Sequence, residues 1–583
     1  MKKNLLIALI LLCTNLSTFA NPEKIDMNKW QYNSVENVFY QLGIPYCDNP
    51  VDTNYEKIAV FVPAQYLTCT SNDDKTYSCQ INKTAKIKNY TPTTAPIVMP
   101  VNTPGYMSTP ALDEYKSVWE YTNEGFIYVY AGCRGREHGA PAGVTDLKAA
   151  VRYIKYNKNV IPGNINRIFS FGMSGGGAQS ILLGVAGNNK LYSPYLKQIG
   201  AVSNTTDSIY GSMAWCPITN LDTANEAYEW NMGASRKNLD KDTKKLSENM
   251  AQNYVDYVNE AKFRREDRTL LELRETNNGI YQGGSYYNYL EKVVNQSFTN
   301  FLADNLFPID MNKYGKEELN IIFDENISEK VDEQEVAKPQ EKQQEVKHEA
   351  ASDKIAKNEI EIDFGTKKEE LPKKEQIKKH NLIFNSGEEY VAYLNSEKKW
   401  IDYDPATYSA KISSLNDFIS VMKPAAKPVG AFDGLERQQG ENILFNGGDG
   451  KGVHFDSRTK TLLENTKYSK DFSDDFQKTD FAGNTVETRM NMYNPLYYLM
   501  PYYKGYKTSK VAKYFRIRTG LSQTDTALTT EVNLALALKK YCGDKNVDFE
   551  TVWAMGHVKA ERRGTPEANF VRWVNNCMIK STR

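Results

Sequence analysis

The chain has 583 residues and balances 72 Lys and Arg against 72 Asp and Glu, so its formal charge is zero. This balance argues against a protein of nucleic acids or of anionic membrane surfaces, since both classes favour a basic excess. Apolar residues make up 40% of the chain, with 36 Gly and 22 Pro. This composition excludes collagen and whole-chain disorder and provides material for a large core.

The first 20 residues have the pattern of a secretory signal peptide. Lys2 and Lys3 precede an apolar run over residues 5–12, and the small residue Ala20 closes the segment. The run is too short to span a membrane. The pattern predicts an exported protein, secreted or periplasmic, that has no membrane attachment after cleavage.

The cysteines suggest disulfides rather than a metal site. Cys69 and Cys79 flank a polar turn, and Cys542 and Cys577 lie near the ends of two predicted helices. Export permits either pair to form a disulfide without requiring it, so both pairings remain open. No Cys-x-x-Cys pair is present and no histidine is suitably close, so we predict no metal and no cofactor.

Strands and helices alternate over the first 220 residues. Predicted strands cover residues 56–63, 95–101, 126–130 and 167–171. Predicted helices cover residues 111–119, 147–154 with Thr145 as N-cap, and 178–185. This alternation predicts βαβ units and a mostly parallel sheet.

The alternation is lost between about residues 220 and 500 and then returns. Residues 325–380 are strongly charged and are predicted to be a disordered insertion, with partner binding or wall tethering as the alternative. Further strands are predicted at 514–518 and 547–555, and helices at 528–541 and 566–578. The pattern therefore predicts one α/β domain built from residues 21–220 and 501–583 and split by the inserted residues 221–500.

Residues 172–176 read Gly-Met-Ser-Gly-Gly between a predicted strand and a predicted helix. This setting is typical of a nucleophile elbow, in which a strained turn exposes the serine hydroxyl. Glycines remove Cβ atoms that would collide in the turn. Ser174 is the predicted nucleophile, and the Gly175 amide at the helix N-terminus is a predicted oxyanion donor. The alternative is an ordinary glycine-rich turn.

A serine hydroxyl needs a base to act as a nucleophile at neutral pH. His557 follows the last predicted strand, where the α/β-hydrolase order of Ser, Asp or Glu, and His places that base. Asp525 follows the preceding strand and is the predicted acid that orients His557. A helix N-cap is its alternative role. Asp222 and Glu561 are the reserve candidates for the acid.

The second oxyanion donor of this fold comes from the loop after its third strand. The strand at residues 95–101 is followed by Asn-Thr-Pro-Gly-Tyr at residues 102–106. We expect a backbone amide of Gly105 or Tyr106 to contribute. An ordinary Pro-Gly turn is the alternative.

Several segments together resemble the bacterial tannase-like α/β hydrolases, which group with feruloyl-esterase-type enzymes. The resemblance covers roughly residues 40–320 and 385–580, and its most specific parts are residues 132–136, 141–143, 146–153, 172–176, 216–222 and 516–577. It implies an α/β-hydrolase fold, a triad of Ser174, Asp525 and His557, and a lid over about residues 220–500 that supplies much of the acyl pocket.

These observations predict an exported serine esterase whose partner is a small-molecule ester, with an aromatic acid of the gallate or hydroxycinnamate type. Bacterial tannases carry an acidic residue two positions after the triad aspartate, and this chain has Ala527 there. The sequence therefore does not determine which aromatic acyl group the ester carries. A serine peptidase or another acyl transferase on the same triad is one alternative. A non-catalytic binding protein on a hydrolase scaffold is the other.

Overall fold

The computed structural model describes residues 21–276, 282–305, 307–314 and 382–580. The predicted signal peptide and the charged segment 325–380 lie outside these residues. No helix in the described part of the chain is long and apolar enough to cross a membrane.

A nine-stranded sheet forms the centre of the molecule. Its strands are β1 (Gln31–Asn33), β2 (Val38–Pro45), β3 (Lys57–Pro63), β6 (Ile97–Val101), β7 (Ile127–Ala131), β8 (Ile168–Met173), β9 (Gly211–Trp215), β14 (Tyr514–Gly520) and β15 (Val547–Val552). Three two-stranded sheets use β4 (Leu67–Ser71), β5 (Tyr77–Ile81), β10 (Ile309–Asp310), β11 (Ile383–Phe384), β12 (Ile401–Asp404) and β13 (Ser409–Ile412).

The strand order of the main sheet is β1-β2-β3-β7-β6-β8-β9-β14-β15. From β7 to β15 all neighbours are parallel, whereas β1, β2 and β3 pair antiparallel at one edge. Every residue of β6, β7, β9 and β14 is buried, as expected for strands covered on both faces. The predicted α/β-hydrolase fold with a mostly parallel sheet is confirmed.

The helices of the two outer chain segments accompany this sheet. They are α1 (Trp119–Thr122), α2 (Ala142–Tyr156), α3 (Gly175–Val185), α4 (Ser193–Gln198), α15 (Leu528–Cys542) and α16 (Pro566–Lys580). Helix α16 packs on the sheet through Phe570, whose ring lies 4.2 Å from that of Phe171 in β8. The last helix of the chain thereby contacts the strand that leads into the predicted elbow.

The chain between β9 and β14 adds no strand to the main sheet within the residues described. Its helices are α5 (Ala224–Met232), α6 (Lys241–Ala261), α7 (Ser285–Asp304), α8 (Gly387–Leu394), α9 (Leu415–Met422), α10 (Gly440–Leu444), α11 (Ser457–Leu462), α12 (Ser469–Gln477), α13 (Val486–Met492) and α14 (Pro495–Leu499). Because β9 pairs with β14 in parallel, from Gly211 with Tyr514 to Trp215 with Arg518, the two outer segments share one sheet.

Two helix predictions are corrected by the structure. Residues 111–118 are irregular, and only Trp119–Thr122 is helical. The amide of Ala111 donates to the Asn54 carbonyl, while Glu36 accepts hydrogen bonds from the Tyr115 hydroxyl and the Val118 amide. These distant acceptors compete with a helical ladder. Helix α2 begins at Ala142, so Thr145 lies inside it rather than capping it.

One of the two candidate disulfides forms. Cys69 and Cys79 face each other across the β4–β5 hairpin and are bonded. Cys542 and Cys577 are not joined to each other by a disulfide.

Candidate active site

The predicted catalytic residues follow the carboxyl ends of adjacent parallel strands. Ser174 comes directly after β8, Cys216 after β9, and the loop that holds Asp525 after β14. The strands end in register, since Met173 pairs with Trp215 and Gly520 with Val552. The edge where parallel strands end is where open α/β sheets bind ligands.

Ser174 has the strained backbone of a nucleophile elbow. Its φ is 57° and its ψ is −126°, a left-handed conformation that residues with a side chain rarely adopt. Its amide donates to the Trp215 carbonyl at 2.9 Å, and its carbonyl accepts from Ala178 at 2.9 Å as helix α3 begins. These bonds hold the turn open with the serine side chain partly exposed.

The neighbouring glycines are required by close approach of the backbone. A Cβ on Gly175 would lie 2.6 Å from the Tyr106 nitrogen and 2.7 Å from the Thr103 oxygen. A Cβ on Gly176 would lie 2.2 Å from the Val101 oxygen. The loop after β6 therefore packs directly against the elbow, as the order of the fold requires.

The geometry separates the candidate oxyanion donors. The Gly175 amide is the first of helix α3, and helix geometry leaves the first amides without an intrahelical acceptor. The Tyr106 amide donates to the Thr103 carbonyl at 3.0 Å. Gly105 has a φ of 55°, and its carbonyl accepts from Arg136 at 3.1 Å. The roles of both amides as oxyanion donors stay predictions.

His557 lies close to the elbow through a chain of contacts. Trp215 accepts from the Ser174 amide, and the next residue, Cys216, donates its thiol to the Val558 carbonyl at 3.2 Å. The same sulfur accepts from the Gly520 amide at 3.5 Å, which ties the loop after β14 to the loop after β15. Ser174 and His557 make no direct hydrogen bond in the described structure. Such bonds often tighten only when substrate binds.

The Nδ1 atom of His557 has two acceptors on the loop after β14. Gln523 Oε1 lies 2.8 Å away, at hydrogen-bond distance, whereas Asp525 Oδ2 lies 3.8 Å away. The structure thus places the predicted acid beside the predicted base as a charge contact. The direct hydrogen bond runs from His557 Nδ1 to the Gln523 amide oxygen, which accepts it.

The surroundings of His557 favour its neutral form. Burial lowers its pKa below the ordinary value of 6.5, the negative charge of Asp525 opposes this, and Lys427 and Lys423 add to the lowering. A general base must be neutral to accept a proton. The lysines therefore extend the pH range in which His557 can act, and both come from the segment between β9 and β14.

The reserve candidates for the acid have other roles. Asp222 is partly buried and accepts from the Tyr503 hydroxyl at 2.5 Å. Glu561 is held by Arg516, with two contacts of 2.6 Å, and by the indole of Trp215 at 2.8 Å. Asp525 is not the N-cap of α15, because Ala527 occupies that position.

The tyrosines near the start of helix α7 pack against other parts of the structure. Tyr286 is fully buried and donates to Asn533 at 2.8 Å, while the hydroxyl of buried Tyr287 accepts from the Leu415 amide at 3.1 Å. Tyr289 is partly buried against the core, and Tyr281 lies outside the described residues.

Three residues that no sequence pattern indicates meet behind His557, namely Gln523, Glu531 and Lys423. Gln523 lies only two positions before Asp525, but a charged side chain is the more obvious partner for a histidine. Glu531 looks like an ordinary residue of a predicted helix. Lys423 belongs to the segment without strand–helix alternation, so nothing in the sequence indicates its position.

The comparisons with known proteins concern the fold of the chain. Residues 87–263 match the model of the BD-FAE family. No curated protein matches the chain. The solved tannin acyl hydrolase from Lactobacillus plantarum superposes with a TM-score of 0.64 at 23% identity, covering 93% of this chain and 94% of that one. The chain has the fold of the bacterial tannases.

Other tannase structures give the same result. The Fusobacterium nucleatum tannase has a TM-score of 0.63 at 24% identity and covers 93% of this chain and 95% of its own. A tannin acyl hydrolase in complex with ethyl gallate has a TM-score of 0.63 at 23% identity, with coverages of 92% and 94%. The predicted tannase-like resemblance is confirmed in the fold of nearly the whole chain.

Proposed function

We propose that this protein is an exported serine esterase that hydrolyses carboxylic esters of aromatic acids, of the gallate or hydroxycinnamate type. The observation that carries the proposal is the strained elbow of Ser174 beside the loop of His557, in a chain with a tannase fold. The ester complex of a structural relative and the BD-FAE match support the substrate class.

Each catalytic step has a residue to perform it. Ser174 Oγ attacks the ester carbonyl carbon while its proton passes to His557 Nε2, and the oxyanion accepts hydrogen bonds from Gly175 and Gly105. The tetrahedral intermediate then expels the alcohol, which takes the proton from His557. Water attacks the acyl-Ser174 ester, gives its proton to His557, and releases the acid as Ser174 is reprotonated.

Asp525 contributes negative charge to this cycle. Its carboxylate lies 3.8 Å from His557 Nδ1 and favours the imidazolium that forms when the serine proton is transferred. Its side chain is 41% exposed, so water screens part of this effect.

Residues 221–500 are proposed to act as a lid over this site. Lys423 and Tyr228, both from this segment, bind the main-chain carbonyls of Gln523 and Thr524 respectively. Because these carbonyls belong to the loop that carries Asp525, movement of the lid would also move this loop relative to His557.

Hydrolysis of a small substrate panel tests the proposal. Mature protein and Ser174→Ala are assayed on p-nitrophenyl acetate, methyl gallate, methyl ferulate and a peptide anilide, with Ser203→Ala as a matched control at an exposed serine. We expect ester turnover that only Ser174→Ala abolishes. Turnover of the anilide alone would favour a peptidase. Equal rates for wild type and Ser174→Ala would favour a binding protein.

A further inference from the structure

The residue that directly contacts the base carries no charge. The Gln523 amide oxygen lies 2.8 Å from His557 Nδ1. The carboxylate oxygen Oδ2 of Asp525 lies 3.8 Å from the same atom, beyond hydrogen-bond distance. An imidazole whose Nδ1 proton is held by an acceptor has its Nε2 lone pair free. The orientation of the Gln523 amide therefore decides whether His557 can act as a base.

A buried carboxylate fixes that orientation. Gln523 Nε2 donates to Glu531 Oε1 at 2.6 Å and to Thr526 Oγ1 at 2.7 Å. An ionised carboxylate only accepts hydrogen bonds, so once Glu531 has lost its proton the amide nitrogen must face it and the amide oxygen must face His557. Thr526 also donates to Glu531 at 2.8 Å, which completes a closed network.

The network is shielded from water and balanced in charge. Gln523 and Glu531 are 2% and 1% exposed, and Lys423 is 1% exposed. Burial raises the pKa of Glu531, and the positive charge of Lys423 opposes that rise. Lys423 also donates to the main-chain carbonyl of Gln523. The cation therefore supports both the ionised carboxylate and the position of the glutamine.

We propose that Gln523 is the positioning residue of His557, that Glu531 holds its amide in the accepting orientation, and that Asp525 acts only as a nearby charge. The proposal rests on the proposed function for the role of His557. It replaces the expected Ser-Asp-His arrangement with Ser174, His557 and an amide, an arrangement of the same logic as the Cys-His-Asn group of other hydrolases.

Kinetics of four variants distinguish Gln523 from Asp525 as the partner of His557. Gln523→Ala should lower kcat by about 10²- to 10³-fold with little change in KM, since the imidazole loses its orientation after substrate has bound. Glu531→Gln should lower kcat by about 10- to 100-fold, because a glutamine can let the Gln523 amide flip. Asp525→Asn should cost less than about tenfold. The fourth variant, Gln523→Glu, tests the contact through pH.

The pH profile gives a readout that a merely structural role would not move. Gln523→Glu places a carboxylate against Nδ1, which stabilises the imidazolium and should move the acid limb of kcat/KM upward by about one unit or more. Three charged groups face His557. Asp525 lies in the loop of Gln523, and Lys423 and Lys427 lie in the inserted segment. All three are unchanged in this variant. Because the new carboxylate also faces Glu531, the profile is compared with that of Gln523→Glu/Glu531→Gln, in which the contact between two carboxylates is absent and the shift reports the contact with Nδ1.

Nitrogen NMR of ¹⁵N-histidine protein tests the same contact without any substrate. The resonances of His557 are assigned from their loss in His557→Gln. We expect the Nδ1–H tautomer in wild type and in Asp525→Asn, and a mixture with the Nε2–H tautomer in Gln523→Ala. Gln523→Met, which keeps most of the side-chain length but has no amide, provides a second sample if Gln523→Ala does not fold.

The outcomes distinguish the two proposals. The expected tautomers without any Ser174-dependent ester turnover would sustain the role of Gln523 in orienting His557 and reject the esterase. A loss of activity and of the Nδ1–H tautomer in Asp525→Asn, with Gln523→Ala unchanged in both, would overturn the positioning role. Equal tautomers in all variants would overturn it as well.

Discussion

The sheet and the segment inserted after β9 each contain a histidine beside an aspartate, and the two pairs differ in an instructive way. In the inserted segment, His454 Nδ1 lies 2.7 Å from Asp433, both side chains are fully buried, and Phe472 stacks on the ring at 3.6 Å. At the sheet edge, His557 lies 3.8 Å from Asp525 and its side chain is 20% exposed.

The tighter pair is the structural one. Asp433 also accepts from the amides of Phe455 and Asp456, so it joins the inserted chain to itself. His557 instead follows a strand end beside a strained serine and keeps access to solvent. Under the proposed function, a close His–Asp contact is therefore a weak sign of catalysis. Position at the sheet edge, exposure and a neighbouring nucleophile are the stronger signs.

Replacing each histidine should give opposite results. His557→Ala should lower kcat about 10⁴-fold or more with an unchanged melting temperature, because the base is lost from a partly exposed site. His454→Ala should lower the free energy of unfolding by about 3 kcal/mol, since it leaves Asp433 without its buried partner, while the folded fraction stays active. Kinetics and thermal melts of both variants check this. Full activity in His557→Ala would break the comparison.

The elbow should be sensitive to a single methyl group. Gly175→Ala puts a Cβ 2.6 Å from the Tyr106 nitrogen, so the loop after β6 must move away from the serine. We expect kcat to fall about 10²- to 10³-fold through loss of oxyanion contacts. Gly556→Ala, next to His557, is the matched control because its Cβ meets no atom within 4 Å. Similar losses in both variants would refute a specific role of the elbow.

Lys423 and Lys427 of the inserted segment should affect the pH range in which His557 acts as a base. Burial and the lysines lower the pKa of His557, so the acid limb of kcat/KM should lie below pH 6.5 in wild type. Removing a positive charge stabilises the imidazolium, and Lys427→Met should therefore move the limb upward by less than about one unit. Lys467→Met is the control, since Lys467 is not among the charges acting on His557. A downward shift would contradict the account.

The β4–β5 hairpin should affect stability alone. The Cys69–Cys79 disulfide closes a loop with a sequence separation of 10, and the double variant Cys69→Ser/Cys79→Ser should lose about 2–3 kcal/mol of unfolding free energy with kcat unchanged. Denaturant titrations check this value. Cys542→Ser, at a cysteine outside the disulfide, serves as control. A fall in kcat would link the hairpin to the site.

The sequence predicts the sheet better than the inserted segment for a physical reason. Strands such as β7 and β14 are short apolar runs between turn residues, and the elbow adds glycines that only close packing explains. The edge strands β1 and β2 were missed because their residues are mostly polar or only partly buried. Helices α5 to α14 belong to a segment whose described residues add no strand to the main sheet, so no strand–helix alternation indicates how they are arranged.

The same limit applies within the site. Ser174 and His557 are predictable because the fold fixes which residues follow which strands. The choice between Gln523 and Asp525 depends on side-chain directions within one loop and on buried Glu531 and Lys423. Spacing along the chain carries no such information, so an acid was expected where the structure places an amide.

Trapping the acyl-enzyme tests the central claim most directly. Mature protein, Ser174→Ala and His557→Ala are mixed briefly with an aryl ester of a slowly hydrolysed aromatic acid, quenched in acid, and measured by intact mass and peptide mapping. We predict one added acyl group on wild type, located on Ser174, none on Ser174→Ala, and greatly slowed labelling of His557→Ala. An acyl group on another residue, or equal labelling of Ser174→Ala, would contradict the account.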